Sequence, residues 1–212
     1  MKILNLYSCL GGNRYKWDEV ADIEVTAVEL DPELARLYQG RFPKDNVIVT
    51  DAHEYLLENY QGFDFIWSSP PCPTHSRARF WRHAKEKPIY PDMKLYQEII
   101  FLKHHFKGLY CVENVIPYYE PFLNPVKRDR HLYWSNFPIP YNVNARHFEG
   151  MAQTKSEVNK LSEFHDYDFR KYKGKQRTDK IARNLVDYQV GKAILDCAIG
   201  IHNQKSEQLD LF

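Results

Sequence analysis

The sequence predicts an α/β fold built on a doubly wound, mostly parallel sheet. Short apolar runs alternate with amphipathic segments from residue 2 to residue 115, which is the pattern of repeated strand–helix units. Asp31 and Pro32 open the first helix, because aspartate caps a helix N-terminus and proline fits its first turn. At 212 residues the chain suffices for one such domain with a modest elaboration, and a second full domain is not expected.

Strands are predicted at residues 2–7, 25–30, 47–50, 63–68 and 109–115. Helices at 31–42, 53–58 and 92–106 connect them, and apolar residues recur at helical spacing in the last one. After residue 115 several prolines interrupt the pattern, and residues 130–134 predict one further strand. Residues 141–180 read as an irregular or partly disordered insert, and residues 190–201 as an apolar helix.

Cysteine usage and hydropathy indicate a cytoplasmic protein. Cys9, Cys72, Cys111 and Cys197 show neither metal-site nor disulfide spacing, so all four are expected to be reduced and no metal is expected. No apolar run approaches the roughly 18 residues of a membrane span, and the N-terminus starts directly as a strand without a signal-peptide layout. A soluble protein without membrane contact is therefore expected.

The charges are balanced overall but locally uneven. The net charge is +1, yet residues 75–87 and 170–183 are both rich in lysine and arginine. Two basic segments in a neutral protein are typical of a surface that meets phosphates. Two solvated loops would give the same pattern, and charge alone does not separate these interpretations.

A cysteine follows the fourth strand behind two prolines. Residues 63–73 read Phe-Asp-Phe-Ile-Trp-Ser-Ser-Pro-Pro-Cys-Pro, so the chain must leave the sheet at Ser69. Cys72 then lies at the carboxyl edge of the sheet, where open α/β folds place their sites. The pattern allows either a nucleophilic thiol or a small buried hydrophobic residue.

The fifth strand ends in a carboxylate and an amide, Glu113 and Asn114, which adjacent strand ends would place beside Cys72. Pro-Pro-Cys on one strand end and Glu-Asn-Val on another closely resemble the DNA cytosine-5 methyltransferase family. The resemblance covers nearly the whole chain. It implies a Rossmann-like fold dependent on S-adenosylmethionine, and methylation of carbon 5 of a flipped cytosine in double-stranded DNA. An RNA methyltransferase of the same family, or a non-catalytic DNA-binding relative or subunit, remains an alternative.

The resemblance implies roles for five catalytic residues. Cys72 would add to carbon 6 of cytosine, Glu113 would protonate or hydrogen-bond N3, and Asn114 would position the loop. Residues 126–130, Val-Lys-Arg-Asp-Arg, resemble a Gln-x-Arg-x-Arg motif. Arg130 would then hold the cytosine O2 and Arg128 a phosphate, although Val126 replaces the glutamine.

Glu29 ends the second strand, where a nucleotide-binding α/β protein places an acid that accepts from ribose hydroxyls. Asp51 follows the third strand, and the resemblance implies that it accepts from the adenine amino group. Each alone could be an ordinary strand-end charge. Their order after a glycine-bearing loop, with no Gly-x-Gly-x-x-Gly phosphate loop, favours S-adenosylmethionine over a dinucleotide. The residues that the sequence and the resemblance together assign to the cofactor are Tyr7, Leu10, Gly11, Gly12, Glu29, Leu30, Asp51, Ala52, Pro71, Lys192 and Ala193. Lys192 replaces an asparagine of the family's Gln-Val-Gly-Asn-Ala-Val segment. In the glycine-bearing loop, Cys9 stands where the family has glycine.

The expected division of the chain is a catalytic domain at 1–136 and 185–202, a target-recognition insert at 137–184 and a flexible tail at 203–212. The insert is small, so a short or relaxed target sequence is expected, read by Arg146, His147 and residues 170–183. Gln208-Leu209-Asp210-Leu211-Phe212 closely matches the peptide that docks bacterial proteins on the sliding clamp. The match also suggests a bacterial or phage enzyme. A frayed tail packing on its own domain is the alternative. A monomer is expected.

Overall fold

The structure is a computed structural model that describes residues 1–79, 87–141 and 155–209, with side chains described up to residue 201 except at 155 and 156. Within these ranges the strands are β1 (Lys2–Leu6), β2 (Glu24–Glu29), β3 (Asn46–Val49), β4 (Phe65–Ser68), β5 (Leu109–Val115), β6 (Val126–Arg128) and β7 (His131–Ser135). The α-helices are α1 (Pro32–Arg41), α2 (Ala52–Asn59), α3 (Lys94–His105), α4 (Lys155–His165), α5 (Thr178–Asn184) and α6 (Tyr188–Leu209). Short 3₁₀ turns lie at Trp17–Glu19, Tyr60–Gly62 and Phe169–Lys171.

The described strands form one sheet in the order β3-β2-β1-β4-β5-β7-β6. Strands β1 to β5 pair in parallel, while β7 pairs antiparallel with both β5 and β6. The chain passes from β3 back across to β4, so the connections change direction between β1 and β4. The doubly wound, mostly parallel sheet predicted from the sequence is confirmed.

Both faces of the sheet are covered, as the alternating side chains require. One face carries Ile3, Phe65 and Trp67, which pack against α6 and the turn at Trp17. The other carries Leu4, Leu6, Val28, Ile66 and Val112, which pack against α2 and α3. A sheet buried on both faces fixes the strand register, and with it the positions of the loops at the strand ends.

Aspartates start both helices next to the carboxyl edge. Asp31 accepts hydrogen bonds from the N–H groups of Glu33 and Leu34 at the start of α1, with Pro32 in the first helical turn. Asp51 caps α2 in the same way through His53 and Glu54. The first cap was predicted from the sequence. The second was not, because Asp51 was interpreted as a ligand-binding acid or an ordinary strand-end charge and not as a helix cap.

The second half of the chain differs from the prediction in three places. Residues 126–128 were predicted as part of a charged motif and not as a strand. They form strand β6, because they pair with the outer side of β7 at the edge of the sheet. Residues 155–165 and 178–184 are helical, although this polar stretch was predicted to be irregular or disordered. Helix α6 continues to Leu209, past the predicted end at residue 201 and through the expected tether at 203–207.

The helices of the expected insert obtain their apolar partners from the catalytic fold. Leu161, Phe169, Tyr172, Ile181, Ala182 and Leu185 share one buried cluster with Leu10, Leu34 and Leu37. A single sequence window shows too few apolar residues to predict this core, because a third of it comes from the loop after β1 and from α1. The predicted residues Arg146, His147 and the last three of Gln208-Phe212 lie outside the described residues, as does part of the basic segment 75–87.

Candidate active site

A pocket of about 910 Å³ lies at the carboxyl edge of the sheet. Its walls come from the ends of β1, β2, β4 and β5, together with residues 175–187. Leu6 pairs with Val28 on one side and with Ser68 on the other, so these strand ends are level with one another. Pockets at the switch point of a doubly wound sheet are the usual ligand sites, and this volume is typical of them.

The pocket brings together eleven of the sixteen residues that the sequence analysis assigned to the site. They are Tyr7, Gly12, Glu29, Leu30, Asp51, Ala52, Pro71, Cys72, Glu113, Asn114 and Arg130. The other five, Leu10, Gly11, Arg128, Lys192 and Ala193, do not line it.

The loop that carries Cys72 is held by the backbone on both sides. The carbonyl of Cys72 accepts hydrogen bonds from the N–H groups of His75 and Ser76, both at 3.0 Å. The Asn114 side chain donates to the Pro70 carbonyl at 2.9 Å. Asn114 is 2 % exposed, and it fastens the proline segment before Cys72 to the end of β5. The loop-positioning role of Asn114 stays a prediction, and this is the hydrogen bond that it would use.

Glu113 follows the last pair between β4 and β5, which is Ser68 with Val112. Its side chain is buried, and His131 Nε2 lies 3.5 Å from its Oε1. Burial of the Cys72 thiol and the nearby Glu113 carboxylate raise the pKa of Cys72 to about 11, while Lys180 acts in the opposite direction. Cys72 and Glu113 are therefore electrostatic neighbours, and the thiol keeps its proton at neutral pH in this state.

The two arginines predicted for the target occupy different places. Arg130 is exposed at the pocket rim, just after Asp129, whose φ of 47° makes the tight turn from β6 to β7. Arg128 points away from the pocket. It donates to the carbonyls of Ile139 at 3.0 Å and Pro140 at 3.1 Å, and it lies 4.6 Å from the centre of the Tyr141 ring. In this structure Arg128 fastens the segment after β7.

The loop after β1 forms the opposite end of the pocket. Three of its residues, Tyr7, Cys9 and Gly11, have φ angles of 56°, 47° and 66°. Such angles favour glycine, which explains why the related motif has glycine where this chain has Cys9. The Cys9 N–H donates to Glu29 Oε2 at 2.8 Å and the Asp31 N–H donates to Glu29 Oε1 at 2.9 Å. Glu29 thus joins two loops, and burial raises its pKa.

Asp51 lies beside Lys94, a charged side chain that the sequence analysis did not assign to the site. Asp51 Oδ1 caps α2, whereas Oδ2 lies 3.4 Å from the Nζ of Lys94. The hydrogen bonds from the helix N–H groups and the charge of Lys94 lower the pKa of Asp51 in spite of partial burial. Next to the pocket the Leu30 side chain is 67 % exposed, so an apolar surface is available to a flat ligand.

Leu10 and Gly11 shape the loop without facing the pocket. Leu10 is completely buried in the cluster under the insert, and its carbonyl accepts from Arg41. A Cβ on Gly11 would lie 2.4 Å from the Phe42 ring, so this turn needs both its left-handed φ and its missing side chain.

Lys192 and Ala193 are partly buried on α6 and do not line the pocket at the carboxyl edge of the sheet. Lys192 Nζ donates to Glu19 at 2.6 Å. Lys192, Ala193 and Glu19 all line a separate shallow depression. Gly191 is the member of this motif that approaches the site loop. A Cβ at Gly191 would lie 2.2 Å from the Asn13 carbonyl, so the motif serves helix packing here.

Several pocket residues were not among the catalytic and cofactor residues predicted from the sequence. They include Ser8, Cys9, Asp31, Asp92, Lys94, Lys175, Gln176, Lys180 and the segment from Arg183 to Asp187. Five of these come from the insert, whose contact with the pocket depends on long-range packing, and four of the five lie in the segment 170–183 that was predicted to read the target. Asp31 was predicted only as a helix cap. Its second oxygen accepts from Tyr172 at 2.7 Å and from Gln176 at 3.2 Å, which fastens the insert to the pocket.

The glycine-loop end of the pocket fits S-adenosylmethionine. Ser8 Oγ is buried at the pocket and has no hydrogen-bond partner among the described atoms, so a bound ligand can supply one. Glu29 ends β2, where an acid can accept from ribose hydroxyls, and Asp51 Oδ2 can accept from an amino group. Tyr7 and Leu30 offer apolar surface at the same end.

The first 115 residues match the sequence model of C-5 cytosine-specific DNA methylase. A comparison with curated protein sequences gave no match. Among the described residues, no helix has the length and apolar character needed to cross a bilayer.

Solved structures with a similar fold include a DNMT2 variant from Spodoptera frugiperda, with 26 % identity over 54 % of this chain and 35 % of that one, at a TM-score of 0.40. Entamoeba histolytica EhMeth shares 13 % identity over 54 % of this chain and 38 % of its own, at a TM-score of 0.38. The matched part thus spans little more than a third of either protein. A putative DNA modification methyltransferase from an Escherichia coli prophage shares 18 % identity over 64 % of this chain and 45 % of its own, at a TM-score of 0.43. From the match over residues 1–115, the chain belongs to the C-5 cytosine-specific DNA methylase family, whose methyl donor is S-adenosylmethionine.

Proposed function

We propose that this protein methylates carbon 5 of cytosine in double-stranded DNA through a covalent adduct on Cys72. One observation carries the proposal: the Cys72 thiol and the Glu113 carboxyl group lie at adjacent strand ends, in the same pocket as the cofactor-binding end. A thiol beside a carboxyl group is the pair that this reaction needs. When bound, S-adenosylmethionine supplies the methyl group.

Carbon 5 of cytosine is a weak nucleophile, so the ring must first be activated. Attack by the Cys72 thiolate forms a bond to carbon 6 and moves an electron pair of the ring toward N3, where Glu113 delivers a proton. The neutral adduct is an enamine, nucleophilic at carbon 5. After carbon 5 has accepted the methyl group, its proton passes to a water molecule, and the freed electron pair forms the carbon 5–carbon 6 double bond and expels the Cys72 thiolate. N3 returns its proton to the Glu113 carboxylate, which restores the neutral aromatic ring.

We propose that the proton leaving the Cys72 thiol passes to the Glu113 carboxylate, and that this is the proton which Glu113 then delivers to N3. The negative charge of Glu113 helps to hold the proton on Cys72, whose pKa is about 11 in this state. A protonated Glu113 removes that charge and is also the form that can donate to N3. Lys180, which favours the thiolate, lies on the insert side of the pocket. Target binding that places N3 against Glu113 would therefore promote both steps.

Cations around the pocket support a nucleic-acid target. Arg170 and Arg177 are paired with Asp168 and Asp179. Within the described residues Lys175 and Lys180 line the pocket and form no ion pair, so with Arg130 they can contact phosphates. Such contacts would help to offset the few kcal/mol that flipping the base out of the duplex costs.

A short or relaxed target sequence is also proposed. Much of the expected reader, residues 155–184, packs on the catalytic fold, and its residues 175, 176, 180, 183 and 184 line the pocket. This leaves few residues for reading bases. Sequencing the methylated cytosines in DNA from cells that express the protein should show a motif of few fixed positions, and a long unique site would contradict this part.

One assay separates the proposal from its rivals. Wild type and Cys72→Ala are incubated with radiolabelled S-adenosylmethionine and either duplex DNA or RNA of the same sequence. We expect label in DNA with wild type and none with Cys72→Ala. Label only in RNA would favour an RNA methyltransferase, and DNA binding without transfer would favour a non-catalytic DNA-binding protein.

Sliding-clamp binding through Gln208-Phe212 is proposed from the sequence alone. Deleting these five residues should abolish binding to a purified bacterial clamp in surface plasmon resonance and should leave methyl transfer to short duplexes unchanged. Equal clamp binding by the full and shortened chains would contradict the assignment.

A further inference from the structure

A buried carboxylate lies under the site and takes no direct part in the proposed chemistry. Glu98, on α3, is 1 % exposed, and it packs between the apolar residues Leu95 and Leu102 of the same helix. It does not line the pocket. A buried carboxylate is costly unless hydrogen bonds compensate its lost hydration, so its donors indicate what it serves.

Three side chains converge on this carboxylate. The Tyr7 hydroxyl donates to Oε1 at 2.5 Å and the Ser68 hydroxyl donates to Oε2 at 2.6 Å. The His53 Nδ1 lies 3.0 Å from Oε1, and this contact with Glu98 raises the pKa of His53. Both oxygens are therefore used, by donors from three separate elements.

Each donor sits directly beside one part of the site. Tyr7 lines the pocket at the end of β1, in a left-handed conformation. His53 follows Asp51 in the first turn of α2. Ser68 is the last residue of β4, and the segment from Ser69 to Cys72 begins immediately after it. The bonds thus join the cofactor end of the pocket to the root of the nucleophile loop.

Fold stability alone does not explain this arrangement. An apolar side chain of similar size would fill the same space on α3, and replacing a buried ion by such a residue is often neutral or stabilising. The hydroxyl of Ser68 at the end of β4 would also not need a charged partner, because a neutral acceptor can take its hydrogen bond. What the carboxylate adds is a fixed direction for three side chains at once.

We propose that Glu98 is a positioning residue that sets the Tyr7 ring at the cofactor end and, through Ser68, the start of the Cys72 loop. The catalytic meaning of this arrangement rests on the proposed function. The linkage itself concerns only cofactor affinity and the accessibility of Cys72.

Removing one donor at a time should separate the two effects. Tyr7→Phe keeps the ring but loses its anchor, so we expect about five- to tenfold weaker binding of S-adenosylhomocysteine with unchanged Cys72 alkylation. Ser68→Ala should loosen the loop, expose the thiol and speed Cys72 alkylation by about threefold or more, with unchanged cofactor affinity. Glu98→Gln should do both.

The experiment measures S-adenosylhomocysteine affinity by calorimetry and Cys72 alkylation by mass spectrometry, for these three variants and for Glu58→Gln, an exposed glutamate on α2. All measurements are made well below each variant's thermal midpoint. A folded Glu98→Gln protein in which both quantities stay within about twofold of wild type would overturn the proposal.

Should Glu98→Gln not fold, the single-donor variants decide in the same way. The split between Tyr7→Phe and Ser68→Ala supports the linkage, and two variants indistinguishable from wild type overturn it. Neither readout requires methyl transfer. A wild type that binds S-adenosylhomocysteine and methylates no nucleic acid would therefore refute the proposed function and leave the Glu98 test intact.

Discussion

The two ends of the pocket hold their carboxylates in different ways. At the cofactor end, Glu29 accepts from two backbone N–H groups, and Asp51 accepts from two more in the first turn of α2. At the nucleophile end, Glu113 lies near the Cys72 thiol and 3.5 Å from His131 Nε2. The backbone donors fix Glu29 and Asp51 in place. The neighbours of Glu113 are side chains, and in the proposed mechanism it is the carboxyl group that donates a proton.

This difference gives each end a distinct response to the loss of a carboxylate. Removing charge at the cofactor end should weaken cofactor binding, because those oxygens hold the loops and, in the proposed site, accept hydrogen bonds from the ligand. Removing it at the nucleophile end should change rates and leave cofactor affinity unchanged. The following three substitutions test this contrast.

Glu113→Gln should have the largest effect. The amide cannot donate a proton to N3 as an acid does, so we expect methyl transfer to fall by about 10²–10⁴-fold. The same substitution removes the negative charge beside Cys72. The pKa of the thiol, about 11 in wild type, should therefore fall, and alkylation of Cys72 at pH 8 should become faster.

The slower methyl transfer is measured by steady-state methylation. The faster alkylation of Cys72 is measured by iodoacetamide labelling across pH 7 to roughly 11. Cofactor affinity is the internal control and should stay the same. Slower alkylation in Glu113→Gln would show that the carboxylate does not act on the thiol, which would contradict the arrangement described for this end.

Glu29→Gln should have the next largest effect. It replaces a carboxylate that accepts two backbone N–H bonds and is placed to accept from ribose, at about 1.5–3 kcal/mol for a hydrogen bond to a charged group. We expect roughly ten- to hundredfold weaker S-adenosylmethionine binding in calorimetry. Turnover at saturating cofactor should change little.

Glu24→Gln is the matched control, because Glu24 lies at the exposed start of the same strand. It should bind the cofactor like wild type. Equal loss of affinity in both variants would mean that strand β2, and not the Glu29 carboxylate, is responsible.

Lys180→Ala should have the smallest effect. Lys180 is exposed and acts on Cys72 only through its charge, so we expect Cys72 alkylation at pH 8 to slow by about two- to fivefold. The effect should shrink at high salt because exposed charges are screened. Lys173→Ala, also exposed but away from the pocket, is the control. A salt-independent change would argue for a structural effect instead.

The parallel half of the sheet could be predicted because its signals are local. Apolar runs mark β1 to β5, Asp31 and Pro32 mark the start of α1, and parallel strands bring Cys72 and Glu113 to one edge. The pairing of Glu113 with the nucleophile therefore follows from residues close in sequence to each strand end.

The rest depended on contacts that no local pattern shows. The insert helices obtain their core from Leu10 and α1, so their own sequence appears too polar to fold. Lys192 follows a recognisable motif, yet it contacts Glu19 outside the pocket. No local pattern marks Glu98, because its three hydrogen-bond partners come from the end of β1, from α2 and from β4.

The central claim is that Cys72 forms a covalent bond to cytosine, and trapping that adduct tests it most directly. In duplex DNA with 5-fluorocytosine at target positions, carbon 5 carries fluorine in place of the proton that must leave. In the presence of S-adenosylmethionine we expect a protein–DNA complex that survives denaturation, with the oligonucleotide attached to Cys72 in peptide mass spectra. Methylation of the unmodified duplex without any trapped complex, or a complex that persists in Cys72→Ala, would contradict the account.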